Sequence, residues 1–352
     1  MMLRSVLPRQ LISLIRIFRK TSRHTKMIFF KFLLRLSTHY LPYIYSYIEL
    51  SNETTSKQDG TGAQLQRLLS VSSLAETIGA RFVQNEIKNV TIHPLDPFQT
   101  PEKYKEFMYR LNYLFKIFEP DREARKVHKV ILVEDLNLMF LLFISLLSYI
   151  KKQNIRLVIQ NPYAVSDLLV DNLEIVVSKL GNLASDIPIN SAKPYIAIHY
   201  RQGVGNFAIY PGQTISREID VSYFKNCIEK FRNLLPADNY EVHVFTDAPA
   251  KSIKYQPPAD QVYLWEGTPG FKDGVIEIEA ANLNAASLGV SDVIVHSGGD
   301  PLDAMLFMSR ASLLITGRSS LSYLAGIMNR TGIVVSAPQF WHPSPERWLS
   351  AD

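Results

Sequence analysis

The stretch YIAIHYRQGVGN, residues 195–206, places a short apolar run directly before a histidine, an arginine and two glycines. An apolar run that ends in polar and glycine residues is typical of a buried strand in a parallel sheet. We therefore predict a strand over Tyr195–His199 with Arg201 just beyond its carboxyl end. In open α/β sheets ligands bind at that edge, so this loop is where we first expect chemistry.

Around this stretch, short β-rich runs alternate with longer helical ones from Tyr43 onward, which predicts parallel sheets covered by helices. The predicted strands are Ile44–Leu50, Arg81–Gln84, Lys129–Val133, Arg156–Gln160, Tyr195–His199, Glu241–Phe245, Gln261–Leu264, Asp292–His296, Leu313–Thr316 and Ile333–Ser336. The predicted helices are Gln64–Ile78, Glu102–Phe118, Asn137–Tyr149, Ala164–Leu180, Val221–Leu234, Glu279–Leu288, Pro301–Ala311 and Ser319–Met328.

The chain divides into four segments in this interpretation. Residues 1–43 form a basic arm, residues 44–180 a first α/β domain, residues 181–193 an aperiodic linker, and residues 194–352 a second α/β domain. We expect a cleft between the two domains. A chain of 352 residues with 47% hydrophobic and 20% charged residues can build such cores and is not a disordered or fibrous protein.

The net charge of +5 belongs to the arm, because residues 1–48 hold nine Lys or Arg and no Asp or Glu. The rest of the chain holds 29 basic and 33 acidic residues, which argues against nucleic-acid binding by the folded body. The apolar windows of the arm are interrupted by charges, so we expect peripheral membrane association or a helix packed on the body, and not a membrane-spanning helix.

Cys227, the single cysteine, excludes an intrachain disulfide and a cysteine-based zinc site.

The loop after Tyr195–His199 is the strongest candidate site. A guanidinium fixed at the end of a buried strand suits a phosphate or diphosphate. Gly203, Gly205 and Asn206 follow it, and the glycines let a ligand approach the backbone. His199 either relays a proton or orients Arg201 as a structural histidine.

Three further loops follow predicted strands and open predicted helices. In the first domain, Gly60, Gly62 and Gln64 lie where a ligand can approach a helix N-terminus, or where a tight turn needs glycine. In the second domain, His296, Asp300 and Asp303 could accept hydrogen bonds from the base or the ribose of a nucleotide. The two carboxylates are also common at the N-terminus of a helix for structural reasons alone. Finally, the hydroxyls of Ser319 and Ser320 with Arg318 suit an anion, and Ser319 equally suits an N-cap. Together these loops predict a nucleotide diphosphate held mainly by the second domain.

Several of these motifs resemble the GDP-fucose-dependent fucosyltransferase superfamily, which includes α1,2-, α1,6- and protein O-fucosyltransferases. HYRQG at 199–203 resembles its H-x-R-x-G motif, and MS at 308–309 followed by RSSLSYLA at 318–325 resembles its M-S … N-S-S-F-S-W-x-A stretch. Ala337, Pro338 and Trp341 are similar to its A-P-x-x-W tail, and residues 60–64 to its glycine-rich first loop. The sequence departs from the motifs at Val204, Arg318 and Tyr323.

The resemblance implies a GT-B fold of two Rossmann-like domains facing each other, with GDP-fucose as donor, a glycan or protein acceptor and inversion at the anomeric carbon. Arg201 would neutralise the leaving diphosphate, aided by Ser319 and Ser320. Because the chain has no Asp-x-Asp triplet, we expect no metal and no cofactor. His199, Asp300 and Asp303 are candidate bases for the acceptor hydroxyl.

Two other functions stay open: a catalytically silent nucleotide- or carbohydrate-binding protein, and a transferase that uses another nucleotide sugar. We expect a cytoplasmic or peripheral membrane location, with a Golgi type II arrangement as the alternative.

Overall fold

The structure is a computed structural model. It describes residues 32, 38–39, 42–53, 60–91, 95–117, 126–136, 138–162, 170–180, 193–202, 207–210, 213–216, 219–235, 239–257, 262, 271–337 and 344–351. Almost all of the predicted arm, most of the predicted linker and, apart from residue 262, the predicted strand Gln261–Leu264 lie outside these residues. Among the described helices, none has the length and apolar character needed to cross a membrane.

The first sheet has four parallel strands in the order β2-β1-β4-β3. They are β1 (Ile48–Asn52), β2 (Arg81–Phe82), β3 (Lys129–Asp135) and β4 (Ile155–Asn161). The associated helices are α1 (Thr61–Ile78), α2 (Pro101–Leu114), α3 (Leu138–Lys151) and α4 (Leu173–Lys179). A 3₁₀ helix, Pro42–Tyr47, occupies much of the predicted first strand, so that strand begins later than the sequence indicated.

The second sheet has six parallel strands in the order β12-β8-β5-β13-β14-β15. They are β5 (Tyr195–His199), β8 (Glu241–Thr246), β12 (Ile294–Ser297), β13 (Leu313–Ile315), β14 (Ile333–Ser336) and β15 (Leu349–Ser350). The helices are α5 (Val221–Phe231), α6 (Ala285–Leu288), α7 (Pro301–Met308) and α8 (Ser320–Met328). Taken in chain order, these strands are arranged 3-2-1-4-5-6, which is the Rossmann order. The prediction of an α/β chain with two Rossmann-like units is confirmed.

Two small antiparallel elements were not predicted from the sequence. They are the hairpin of β6 (Phe207–Tyr210) and β7 (Gln213–Ser216), and a sheet of β9 (Ile253–Tyr255), β10 (Phe271–Lys272) and β11 (Val275–Ile278). The predicted helix Glu279–Leu288 is wrong over its first half. Asn284 forms a capping box with Ser287, so the helix starts only at Ala285.

The two units share one hydrophobic core. Buried residues of α1 and of the first sheet belong to the same cluster as Leu302, Met305 and Leu306 of α7 and Tyr323 and Leu324 of α8. A second cluster covers the other face of the six-stranded sheet, where Ile196, Ile198 and Val244 pack under α5. The core therefore lies under the helices α1, α7 and α8, which carry the candidate loops of both units.

Candidate functional site

The loops of the second unit meet where its strand order reverses. From β5 the chain builds outward to β8 and β12 on one side, and later to β13, β14 and β15 on the other. Such a topological switch point leaves a crevice at the carboxyl ends of the two central strands. Here those strands are β5, which leads to Arg201, and β13, which leads to Gly317 and Arg318.

Gly317 makes the close approach between these two loops possible. A Cβ atom at position 317 would lie 2.5 Å from the carbonyl oxygen of His199 and 3.2 Å from its Nδ1. Because backbone cannot yield as a flexible side chain can, only glycine fits there. The backbone of the β13 loop therefore runs directly beside the end of β5.

The loop that carries Arg201 is held from both sides. The Tyr200 backbone N–H donates to Phe245 O at 2.9 Å, and its hydroxyl donates to Asn282 Oδ1 at 2.8 Å. The Gln202 backbone N–H donates to Asp247 Oδ1 at 3.2 Å, and its side chain bonds the backbone of residues 280 and 282. Arg201 is thus fixed between two anchored neighbours, as the sequence interpretation requires.

The guanidinium of Arg201 lies beside one carboxylate. Its Nε is 3.6 Å from Asp247 Oδ2, and the side chain is only 15% exposed. Asp247 directly follows β8, just as Arg201 follows the end of β5. The same reasoning about strand ends could therefore have selected Asp247, but the sequence analysis did not name it. The Asp247 carboxylate lies on the Nε edge of the guanidinium, whose planar fork carries further donors on its two terminal nitrogens.

The N-termini of two helices from different units meet at the end of the loop that follows β13. A Cβ atom at Gly62, in the first turn of α1, would lie 2.5 Å from Leu321 N and 2.8 Å from Leu321 Cα, in the first turn of α8. Gly60 caps α1 with no side-chain hydrogen bond, whereas the Ser319 hydroxyl accepts from Leu321 N at 3.2 Å. Each helix N-terminus carries partial positive charge and N–H donors, so the contact concentrates positive potential.

His199 is a neutral, buried histidine. Burial, with a smaller contribution from the positive charge of Arg201, lowers its pKa to about 4. Its Nδ1 is buried without a hydrogen bond among the described residues, close to Gly317. This environment suits an orienting or neutral hydrogen-bonding role.

Asp300 and Asp303 face the first unit. Arg110 of α2 donates from Nη1 to Asp300 Oδ2 at 2.8 Å, and its Nη2 pairs with Asp303. Asp300 is also the N-cap of α7, where its Oδ1 accepts from Leu302 N at 2.7 Å. Burial raises the pKa of Asp300, and Arg110 opposes that shift. The sequence analysis did not select Arg110. Its partner Asp300 is 190 residues away, and no local sequence pattern indicates the pairing.

The remaining predicted residues divide into two groups. Ser319, Ser320, Arg318, Gly60 and Gln64 lie on the described loops and helix ends, and His296 lies within β12, where it stacks on Phe245. Gly203, Gly205 and Asn206 lie outside the described residues. Over the described part of the chain, no three His, Cys, Asp or Glu side chains are grouped as a metal site.

No family model matches the chain, and no curated protein matches it. Solved structures similar to it include the Escherichia coli heptosyltransferase WaaC with ADP-2-deoxy-2-fluoro heptose, at 11% identity and TM-score 0.33, over 86% of this chain and 92% of the other. The fucosyltransferase NodZ from Bradyrhizobium has 13% identity and TM-score 0.29, over 80% and 91%. A putative UDP-N-acetylglucosamine 2-epimerase from Listeria monocytogenes has 12% identity and TM-score 0.30, over 83% and 79%. Scores this low carry no argument about function.

Proposed function

We propose that the protein is a GT-B-type, inverting glycosyltransferase that transfers a sugar, with fucose from GDP-fucose as first choice, to a hydroxyl of a glycan or protein. One observation supports the proposal: α1 and α8 meet N-terminus to N-terminus, and the loop that leads into α8 packs at Gly317 against His199, two residues before the anchored Arg201. A diphosphate bound alongside these helix starts would receive backbone N–H donors and a guanidinium together.

The proposed reaction needs this arrangement. The glycosidic bond to the diphosphate breaks with development of positive charge on the sugar and negative charge on the departing oxygen. Fixed donors aimed at that oxygen stabilise the transition state more than the ground state. We propose that Arg201 and the two helix N-termini supply this stabilisation and that no divalent metal is needed. The choice of GDP-fucose rests on the motifs at residues 199–203 and 318–325.

The test is nucleotide binding followed by transfer. Without magnesium and with EDTA present, GDP should raise the melting temperature, and GDP should compete better than UDP or CMP. Arg201→Ala should abolish the shift and the transfer while the protein stays folded. Arg232→Ala, which removes an exposed arginine at the end of α5, is the matched control and should behave as wild type.

The outcomes separate the candidate functions. If Arg201→Ala leaves binding and transfer intact, the proposed mechanism is wrong. If the wild-type protein binds GDP-fucose but neither transfers nor hydrolyses it over a broad acceptor panel, a catalytically silent binding protein is the better description. If UDP or CMP competes better than GDP, the donor assignment is wrong and the transferase uses another nucleotide sugar.

A further inference from the structure

A hydrogen-bonded chain of three side chains crosses two neighbouring strands of the second sheet. Glu241 and His243 lie on β8, and His296 lies on β12. Glu241 Oε2 is 3.2 Å from His243 Nε2, and His243 Nδ1 is 2.9 Å from His296 Nε2. Both nitrogens of His243 are therefore engaged, one toward the carboxylate and one toward the second imidazole.

The carboxylate fixes where the protons of this chain lie. An ionised glutamate only accepts hydrogen bonds, so a His243 ring with one proton carries it on Nε2. His243 Nδ1 is then an acceptor, and His296 Nε2 must donate to it. Consequently His296 Nδ1 carries a lone pair and no proton.

Aromatic packing fixes the orientation of the second imidazole. The His296 ring stacks on Phe245, with centroids 4.4 Å apart and planes 5° apart, and also contacts Phe307 of α7. The His243 side chain is buried and packs edge-on against Tyr195. Within the described residues His296 makes its hydrogen bond through Nε2, and the ring is half-buried, which leaves Nδ1 as the nitrogen available to a ligand.

His296 lies near the same edge of the sheet as the candidate site. In the register of the sheet, His296 pairs with Phe245, and Phe245 pairs with His199. The following residues reach the first unit, because a Cβ atom at Gly298 would lie 2.8 Å from Leu95 Cβ. His296 therefore lies at the carboxyl ends of the strands, where the two units come together.

We propose that His296 is the catalytic base that removes the proton of the acceptor hydroxyl, and that His243 and Glu241 are positioning residues. This inference rests on the proposed function. In the step, the acceptor proton moves to His296 Nδ1 as the acceptor oxygen forms its bond to the anomeric carbon. The bond from that carbon to the diphosphate breaks, and its electron pair stays on the diphosphate oxygen. The imidazolium is stabilised through His243 by Glu241 and afterwards releases its proton to solvent.

The other candidate bases are less suited to this step. Asp300 and Asp303 are engaged by Arg110, and His199 is buried. Around His296, the titratable groups on β8 are His243 and Glu241, and the contact from α7 is the uncharged Phe307. Burial and, to a smaller extent, the electrostatic effect of His243 lower the pKa of His296. The lowered pKa keeps the His296 ring unprotonated on one nitrogen at neutral pH.

The first experiment measures the tautomers directly. In protein labelled with ¹⁵N-histidine, long-range ¹H–¹⁵N spectra distinguish a protonated Nδ1 from a protonated Nε2, and His296→Phe assigns the signals. We expect His296 with the proton on Nε2 in the wild type and a mixture of both tautomers in His243→Phe. A wild-type His296 protonated on Nδ1 overturns the inference, and this result does not depend on any enzymatic activity.

The second experiment separates catalysis from binding. His296→Phe keeps a ring on Phe245 and should lower kcat by about 10²-fold or more, a much larger loss than any change in GDP affinity measured by titration. Glu241→Gln should lower kcat and shift the acidic limb of its pH profile, whereas Glu229→Gln, on the exposed face of α5, should have neither effect. If wild-type protein transfers sugar and His296→Phe transfers it equally fast, the base assignment is wrong and the proposed function stands. If wild-type protein neither binds nucleotide nor transfers, the proposed function itself is wrong.

Discussion

The substitution Gly62→Ala tests whether the N-termini of α1 and α8 are in contact. The added methyl group would lie 2.5 Å from Leu321 N and 2.8 Å from Leu321 Cα, whereas ordinary contacts begin near 3.4 Å. Both atoms are backbone, so a helix must shift by about 1 Å to relieve the clash. Overpacking of this kind costs about 1 to 3 kcal/mol.

Whether Gly62→Ala stabilises or destabilises the protein shows whether the N-termini of α1 and α8 are in contact. Alanine is favoured over glycine in a helix by up to about 1 kcal/mol. If the two helix starts were apart, Gly62→Ala would therefore stabilise the protein. With the contact present, we expect a net loss of up to about 2 kcal/mol, obtained by subtracting the helix preference from the overpacking cost.

Urea denaturation at equilibrium measures the free energy of unfolding, and calorimetric titration with GDP measures binding. Gly62→Ala should lose stability and also bind GDP more weakly, because the donors of the two helix starts move apart. Ala63→Gly, in the same turn, is the control: it should lose up to about 1 kcal/mol through helix preference alone and keep wild-type GDP affinity. A Gly62→Ala protein that is more stable than wild type and binds GDP normally would refute the contact.

Two further predictions concern charges at the site. The pKa of His199 falls from 6.5 to about 4 on folding, so the unfolded chain binds more protons and stability is lost as pH falls from 6.5 toward 4. His199→Asn should reduce this loss, by up to about 3 kcal/mol at pH 4, as measured by urea denaturation across that range. Arg110→Ala should cost roughly 1 kcal/mol at pH 7, because it leaves Asp300 and Asp303 without this cation. The cost should shrink as the pH falls and Asp300, whose pKa is raised by burial, becomes protonated, and a pH-independent cost would contradict this ion pair.

The second sheet was largely predictable from the sequence because its strands are short apolar runs between polar loops. Tyr195–His199 and Ile333–Ser336 match their predicted bounds. The order of the strands was not predictable in this way, since hydrophobic patterns do not encode lateral pairing. The small antiparallel sheet, with Ile253, Ile276 and Ile278, was missed because its strands have two to four residues and little periodicity.

The parts of the candidate site that follow a single predicted strand could be predicted from the sequence. Arg201 and Gly317 follow strands, so their loops could be selected from the sequence. The ion pairs of Arg110, and the chain from Glu241 to His296, join elements that are distant along the sequence and exist only through the fold. No local pattern distinguishes such an arginine from an ordinary solvated one.

The contact of two helix N-termini favours an anion over simple packing. Taking half a charge on each helix end and a separation of about 5 Å, the repulsion is about 1 kcal/mol at an effective dielectric constant of 20. A doubly charged anion at a similar distance from both ends would gain about 3 kcal/mol from each in the same medium. The repulsion between the helix ends around Gly62 and Leu321 is thus smaller than the attraction that each end would have for an anion. This balance agrees with the diphosphate site proposed above, and weaker GDP binding by Gly62→Ala is the result that it predicts.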